Sequence, residues 1–577
     1  MYNYAMRSLR NFYLPLILFL IVILAYWNLP KTFFQQDEWL SFGKMIFYET
    51  TGGVGNVLLV PFLFGKGHFT PLSYYQLYLE FKLFGLSFEP YVYVSIVTHI
   101  VNSLLLFYFV YLLLKNKFLA FCSALFFAVE SISSQAVTWI GASPNTQGTV
   151  LFLLLSLIFI FKYLQNNQKR SYYIALVFFF VGLLFKETIL FFFILVLLMW
   201  ILFGQKKSRK NFVSFLKPLI ILGFIYVLIR ASLFFVSLAN IVPSSKFLNQ
   251  PFTFDIIRLI LLPFKILPQS MFSQHYLIGL SDMATLFFYP QQAFGEIVNP
   301  YFSQTVVFGQ VIPFLSIPIL LIGFIAYKLL LKRKEVVFSR IIIFSLAFIM
   351  LSSLPLAFIL GDAGSLPIYE SRHFHMAAIG VGIFLVVGLY AVVNFFLKQS
   401  KYVYPILFVI LAPILLMHLM LTRTEIDRLV RISIPRESIL KSIITSYPKL
   451  PQKAVFYTES DTAYYGMPIE EKMLPVQIGF GSMLLVWYQK NEKFPSCLFD
   501  FDVQAYDMRY QGYKECSGRG FGYFRDYDKL VVAIKENNIS ANDIIAYSWK
   551  GKTEELKDIT EQIRSKIKRD ITYGAAK

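Results

Sequence analysis

The chain has 577 residues, 57% hydrophobic and only 15% charged, with a formal net charge of +19. So little charge cannot coat a soluble protein of this length. Repeated apolar runs of about 18 or more residues can each cross roughly 30 Å of hydrocarbon, so the composition specifies a polytopic α-helical membrane protein.

Taken in chain order, spans are expected at 12–29, 91–114, 118–129, 148–161, 171–185, 189–203, 215–236, 308–327, 341–359, 376–396 and 402–421, about 11 in all. The first run, "NFYLPLILFLIVILAYW", has the basic flank of a signal peptide but no small-residue cleavage site, and reads as a retained span. With the N-terminus inside, the inner segments carry 19 Lys and Arg against one acid, Glu335. This is the positive-inside pattern, so the charge sets topology and calls for no nucleic-acid partner. The segment "FTFDIIRLILLPFKILPQSMF", with Asp255, Arg258 and Lys265, is amphipathic and broken by Pro263 and Pro268. It reads as interfacial or re-entrant, because one crossing there would place "KLLLKRKE" outside.

The outer face then receives the long loops 30–90, 130–147, 237–307 and 360–375, the turn at 186–188, and the tail from 422. All six histidines, His68, His99, His275, His373, His375 and His418, fall there or within a few turns of it. In the first loop, "LPKTFFQQDEWLSFG" sets Asp37 and Glu38 between aromatic residues and starts a helix. "HFTPLSYYQLYLEFKLFG" reads as an interfacial helix. His99 and Asn102, three apart in the next span, are expected to face other helices. "LLFKETILFF" places Lys186 and Glu187 at a turn between spans, and "YESRHFHMAAIG" places Arg372 and His373 just before another.

From Thr422 the composition changes. "RTEIDRLVRISIPRESILKSI" is a charged amphipathic helix; "KAVFYTES", "CLFDFD" and "DIIAYSW" read as strands; "KLVVAIKEN" and "EELKDITEQIRSKI" read as helices. The expected division is a membrane domain over 1–421 and an extracytoplasmic α/β domain over 422–577. Cys497 and Cys516 both lie in that exported domain, where a disulfide is expected.

An acidic pair at a membrane surface suits transfer from a lipid-linked donor. If a sugar is carried on a polyprenyl phosphate, the leaving group is already a stable anion and needs no general acid. A carboxylate base must deprotonate the acceptor, and cations must hold the departing phosphate. Here the sequence resembles a known superfamily. The "DE" pair after the first span, then the Pro-Leu surface helix ending in "LFG", is similar to the membrane glycosyltransferases of the GT-C fold, among them the protein O-mannosyltransferases and aminoarabinose transferases. "HIVNSLLLFYFVYLLL", "ALFFAVESISSQAVTWIGA", "GLLFKETILFFFIL" and "YESRHFHMAAIG" extend the resemblance over roughly residues 10 to 400.

The resemblance implies a glycosyltransferase using a polyprenyl-phosphate sugar at the outer face of the cytoplasmic membrane, with a lipid, glycan or protein acceptor. It implies Asp37 as base with Glu38 in support, and Arg372, Lys186, His373 and His68 around the donor phosphate. Glu187 and Arg230 are supporting candidates. Where many relatives carry Lys or Arg before the Pro of the surface helix, Thr70 stands before Pro71, leaving Lys66 or His68 to replace that cation. No residues have metal-ligand spacing, and no cofactor is expected. The rival class is a transporter or flippase of lipid-linked saccharides; such proteins tend to carry midplane charges and internal repeats, and this chain has neither.

Overall fold

A computed structural model describes residues 2–35, 37–63, 68–204, 209–239, 256–294, 297–358, 368–398, 400–462, 472, 474–475, 480–499 and 511–574. Lys66 and Asp255, and the side chain of Arg258, lie outside the described residues. Eight helices among these are long and apolar enough to cross a membrane, the first at Tyr13–Lys31 and the last at Val403–Ser446. The protein is thus an integral membrane protein. The other three expected spans are shorter helices, Lys117–Val129, Lys169–Phe185 and Phe192–Phe203, of 13, 17 and 12 residues.

The chain divides into two compact units. The first comprises residues 1–27, 61–76 and 92–425. Its helix His375–Leu397 is buried along most of its length, because glycines let neighbours come close. A Cβ on Gly382 would stand 2.7 Å from the Ser123 carbonyl, and one on Gly380 2.9 Å from that of Ser345. Close backbone approach at small residues is how apolar helices associate where lipid removes the hydrophobic drive. Asn102 donates to the Gln147 carbonyl at 3.1 Å, and His99 Nε2 meets the Ala128 carbonyl at 3.2 Å, so both face protein as expected.

The second unit comprises residues 28–60, 77–91 and 426–577. Its centre is a five-stranded mixed sheet. Strand Lys453–Ser460 lies between Arg519–Phe524 and Ile544–Lys550, parallel to both, and the edges are the antiparallel strands Gly512–Cys516 and Glu555–Asp558. Helices Tyr527–Asn537 and Thr560–Gly574 cover one face through Leu530, Ile534, Ile563 and Ile567. Asp526 caps the first of them, accepting from the amides of Asp528 and Lys529.

Two sequence readings need correction here. Cys497–Phe499, expected as the start of a strand, belong to the 3-10 turn Ser496–Phe499, and residues 500–502 lie outside the described residues. The start of "EELKDITEQIRSKI" is an edge strand, with the helix beginning only at Thr560. The Cys497–Cys516 disulfide is present.

Candidate active site

Helix Lys169–Phe185 stops where Lys186 turns extended, and the 3-10 turn Glu187–Phe191 starts the chain back. The turn is anchored from outside its own helices. Ser73, on the surface helix Pro71–Phe84, donates to the Phe185 carbonyl at 2.7 Å, and His68 Nδ1 pairs with a Glu187 carboxylate oxygen. Glu187 is therefore held by His68. The Lys186 ammonium has no hydrogen-bond or ion-pair partner among the described residues. Burial pushes its ammonium down to about 8; neighbouring Arg372 adds to that, while Glu187 and Glu370 act against it.

Arg372 and His373 arrive on the 3-10 turn Ser371–Phe374, at the head of helix His375–Leu397. Ser371 accepts from the Gln135 amide at 3.2 Å, tying this turn to the loop after Lys117–Val129. The Arg372 guanidinium lies over the Trp139 indole at 4.2 Å and pairs with Glu370 at 2.5 Å. An aromatic face under a guanidinium fixes its plane while leaving its edge donors directed outward. His373 is within electrostatic reach of Lys186, Arg372 and His68. Arg230 lies one turn beyond Tyr226, whose phenol feels both Arg230 and Glu187.

Three of these groups border a cleft with an empty volume of about 320 Å³. Lys186, Arg372 and His373 line it, together with the hydroxyls of Thr146, Thr149, Thr188 and Ser352. Thr146, Thr149 and Ser352 donate to carbonyls of their own helices, so it is the two cations, Lys186 and Arg372, that suit the lining to an anion with several oxygens, such as a phosphate ester. The structure thus brings together His68, Lys186, Glu187, Arg230, Arg372 and His373, all in the first unit. Sequence reading did not find the threonines or Ser352, because a hydroxyl in an apolar helix carries no signal until the fold shows what it lines.

Asp37 and Glu38 belong to the second unit and open helix Asp37–Leu63. Their aromatic neighbours are structural: Trp39, Phe34 and Phe42 pack on one another and on Phe33, Phe88, Tyr91 and Trp487. Glu38 is completely buried, at 0% exposure, and Asp37 is exposed. Lys44 feels the Asp37 charge; burial lowers the pKa of this lysine and Asp37 partly restores it.

The loop 130–147 folds inward. Glu130, 2% exposed, accepts from the amides of Ile132 at 2.7 Å and Ser133 at 2.9 Å, and also from the Ser133 hydroxyl. Burial pushes its carboxyl up to about 7, against the pull of these hydrogen bonds.

Residues 68–235 match the dolichyl-phosphate-mannose-protein mannosyltransferase family, a GT-C-type family of glycosyltransferases, which bears out the GT-C resemblance. The matched stretch contains His68, Lys186, Glu187 and Arg230. No curated protein matches the chain.

Proposed function

We propose that this GT-C-type glycosyltransferase takes its sugar from a polyprenyl-phosphate donor and passes it to a hydroxyl or amine acceptor at the outer membrane surface. The observation that carries the reading is the cleft that Lys186 and Arg372 line together. In the transfer, the acceptor oxygen or nitrogen bonds to the anomeric carbon as the bond from that carbon to the phosphate oxygen breaks. The electron pair leaves on polyprenyl phosphate, whose charge goes from one negative to two. Cations placed there stabilise the transition state more than the bound donor, so they act on turnover. Asp37 is the base that receives the acceptor's proton. Of the acidic pair it is the exposed member, open to an acceptor, whereas Glu38 is fully buried.

The test is release of free polyprenyl phosphate from a radiolabelled polyprenyl-phosphate sugar by the purified protein. Arg372→Lys should lower turnover, because Lys cannot grip two phosphate oxygens, and Arg372→Ala should lower it further. Asp37→Asn keeps the shape but loses the proton acceptor, and should cost about 100-fold or more in turnover with donor binding largely kept. Unchanged turnover in both Arg372 variants removes that residue from the site, and near-normal turnover of Asp37→Asn removes the base.

A further inference from the structure

His375 is 2% exposed and lines the same cleft as Lys186 and Arg372, yet the transfer step leaves it without a task. Its environment specifies how it is held. The Ser133 hydroxyl donates its single hydrogen to a Glu130 carboxylate oxygen, and Ser133 Oγ also lies 2.9 Å from His375 Nδ1. With its hydrogen committed to Glu130, that oxygen can only accept, so His375 Nδ1 carries the hydrogen and donates it. In the neutral ring, Nε2 then holds a bare lone pair. That atom is buried and has no hydrogen-bond partner among the described residues. Thr188 Oγ1, on the same cleft, also lacks one. The ring cannot swing to find another partner, because Phe127 and His99 pack against it at centroid distances of 5.0 and 5.7 Å.

A lone pair repels phosphate oxygens, which are themselves acceptors, and attracts a hydroxyl hydrogen. We infer that His375, oriented by Ser133 and Glu130, is a specificity residue that accepts a hydrogen bond from a hydroxyl of the donor's sugar, next to the phosphate held by Lys186 and Arg372. The inference rests on the donor reading above but adds a sugar subsite to it. Glu130 and Ser133 are positioning residues; His375 alone touches the ligand. A buried acceptor with no other partner also rejects a sugar that presents no hydroxyl there, because the acceptor would stay unpaired.

The experiment compares two kinds of probe at pH 7.5 in detergent: farnesyl phosphate, which lacks a sugar, and farnesyl-phosphoryl mannose, glucose and galactose. His375→Phe should weaken binding of at least one glycosyl lipid about tenfold and that of farnesyl phosphate less than twofold. Ser133→Ala leaves the imidazole in place but frees its Nδ1, and should show a smaller loss with the same preference. Lys186→Met should weaken both kinds of probe alike. Equal losses on both kinds for His375→Phe, no loss on any glycosyl lipid, or a silent Ser133→Ala overturns the inference. If farnesyl phosphate fails to bind the wild-type protein while a glycosyl lipid binds and responds to His375→Phe, the phosphate reading falls and the sugar contact stands. Thermal melting of each variant separates loss of fold from loss of contact.

Discussion

A single lysine carries the sharpest chemical signature in the cleft. Lys186 has given up most of its water without gaining an ion-pair partner among the described residues, and burial, with Arg372 beside it, pushes its pKa down to about 8. The sign follows directly: Lys186 is a cation below pH 8 and neutral above it. A phosphate monoester is already a dianion there, its second pKa being about 6. Affinity for farnesyl phosphate should therefore be highest near pH 7 and fall as pH rises through 8, by up to about tenfold per unit. Lys186→Arg stays charged throughout and should flatten the profile to pH 10. Isothermal titration across that range decides it: a flat wild-type profile, or a fall that persists in Lys186→Arg, rejects Lys186 as the phosphate cation. At the same scale, Asp37 and Glu38 look alike in sequence and differ entirely in the fold. Adjacent helix positions point about 100° apart, and the fold buries only one of them.

Among the elements, the hairpin of the second unit ties local sequence to stability. Strands Gly512–Cys516 and Arg519–Phe524 join through Ser517 and Gly518, both at positive φ, 50° and 74°, the twist that tight hairpins favour. Cys516 ends the first strand and bonds to Cys497, 19 residues earlier. Closing a loop of that size typically adds about 3 kcal/mol by restricting the unfolded chain. Replacing both cysteines by alanine should thus cost about that much in the urea dependence of proteolysis of the second unit; a change under about 1 kcal/mol would mean the hairpin holds without the bond.

The same region shows where the sequence was readable. Strong apolar runs such as "KAVFYTES" and "DIIAYSW" became central strands, because burial on both faces needs continuous hydrophobicity. "RGFGYF" went unread: Gly520 and Gly522 interrupt its alternation, and both stand against the Tyr513 ring of the neighbouring strand. In the site, Lys186, Glu187 and Arg372 were legible because charges between apolar runs are costly and few. The Ser133–His375 contact was not, since 242 residues separate its members and no local period links them.

For the molecule as a whole, the governing fact is the asymmetry of charge. The expected inner segments carry nearly all of the +19, and the loops with Asp37, Lys186 and Arg372 are expected on the opposite side. Basic loops resist translocation, so this distribution orients every span at once. The second unit, which contains the disulfide, should then be extracytoplasmic, where oxidised cysteines persist. The native cysteines favour a clean test: Cys122 is buried and the other two are bonded, so the wild-type background with a thiol reagent should be low. Single cysteines replacing Lys552, exposed in the second unit, and Lys398, exposed in an expected inner loop, report the two sides. In intact cells a membrane-impermeant maleimide should label Lys552→Cys and spare Lys398→Cys; permeabilised cells should label both. The reverse pattern would place the cleft and the acidic pair on the cytoplasmic side, where a donor displayed on the outer surface could not reach them.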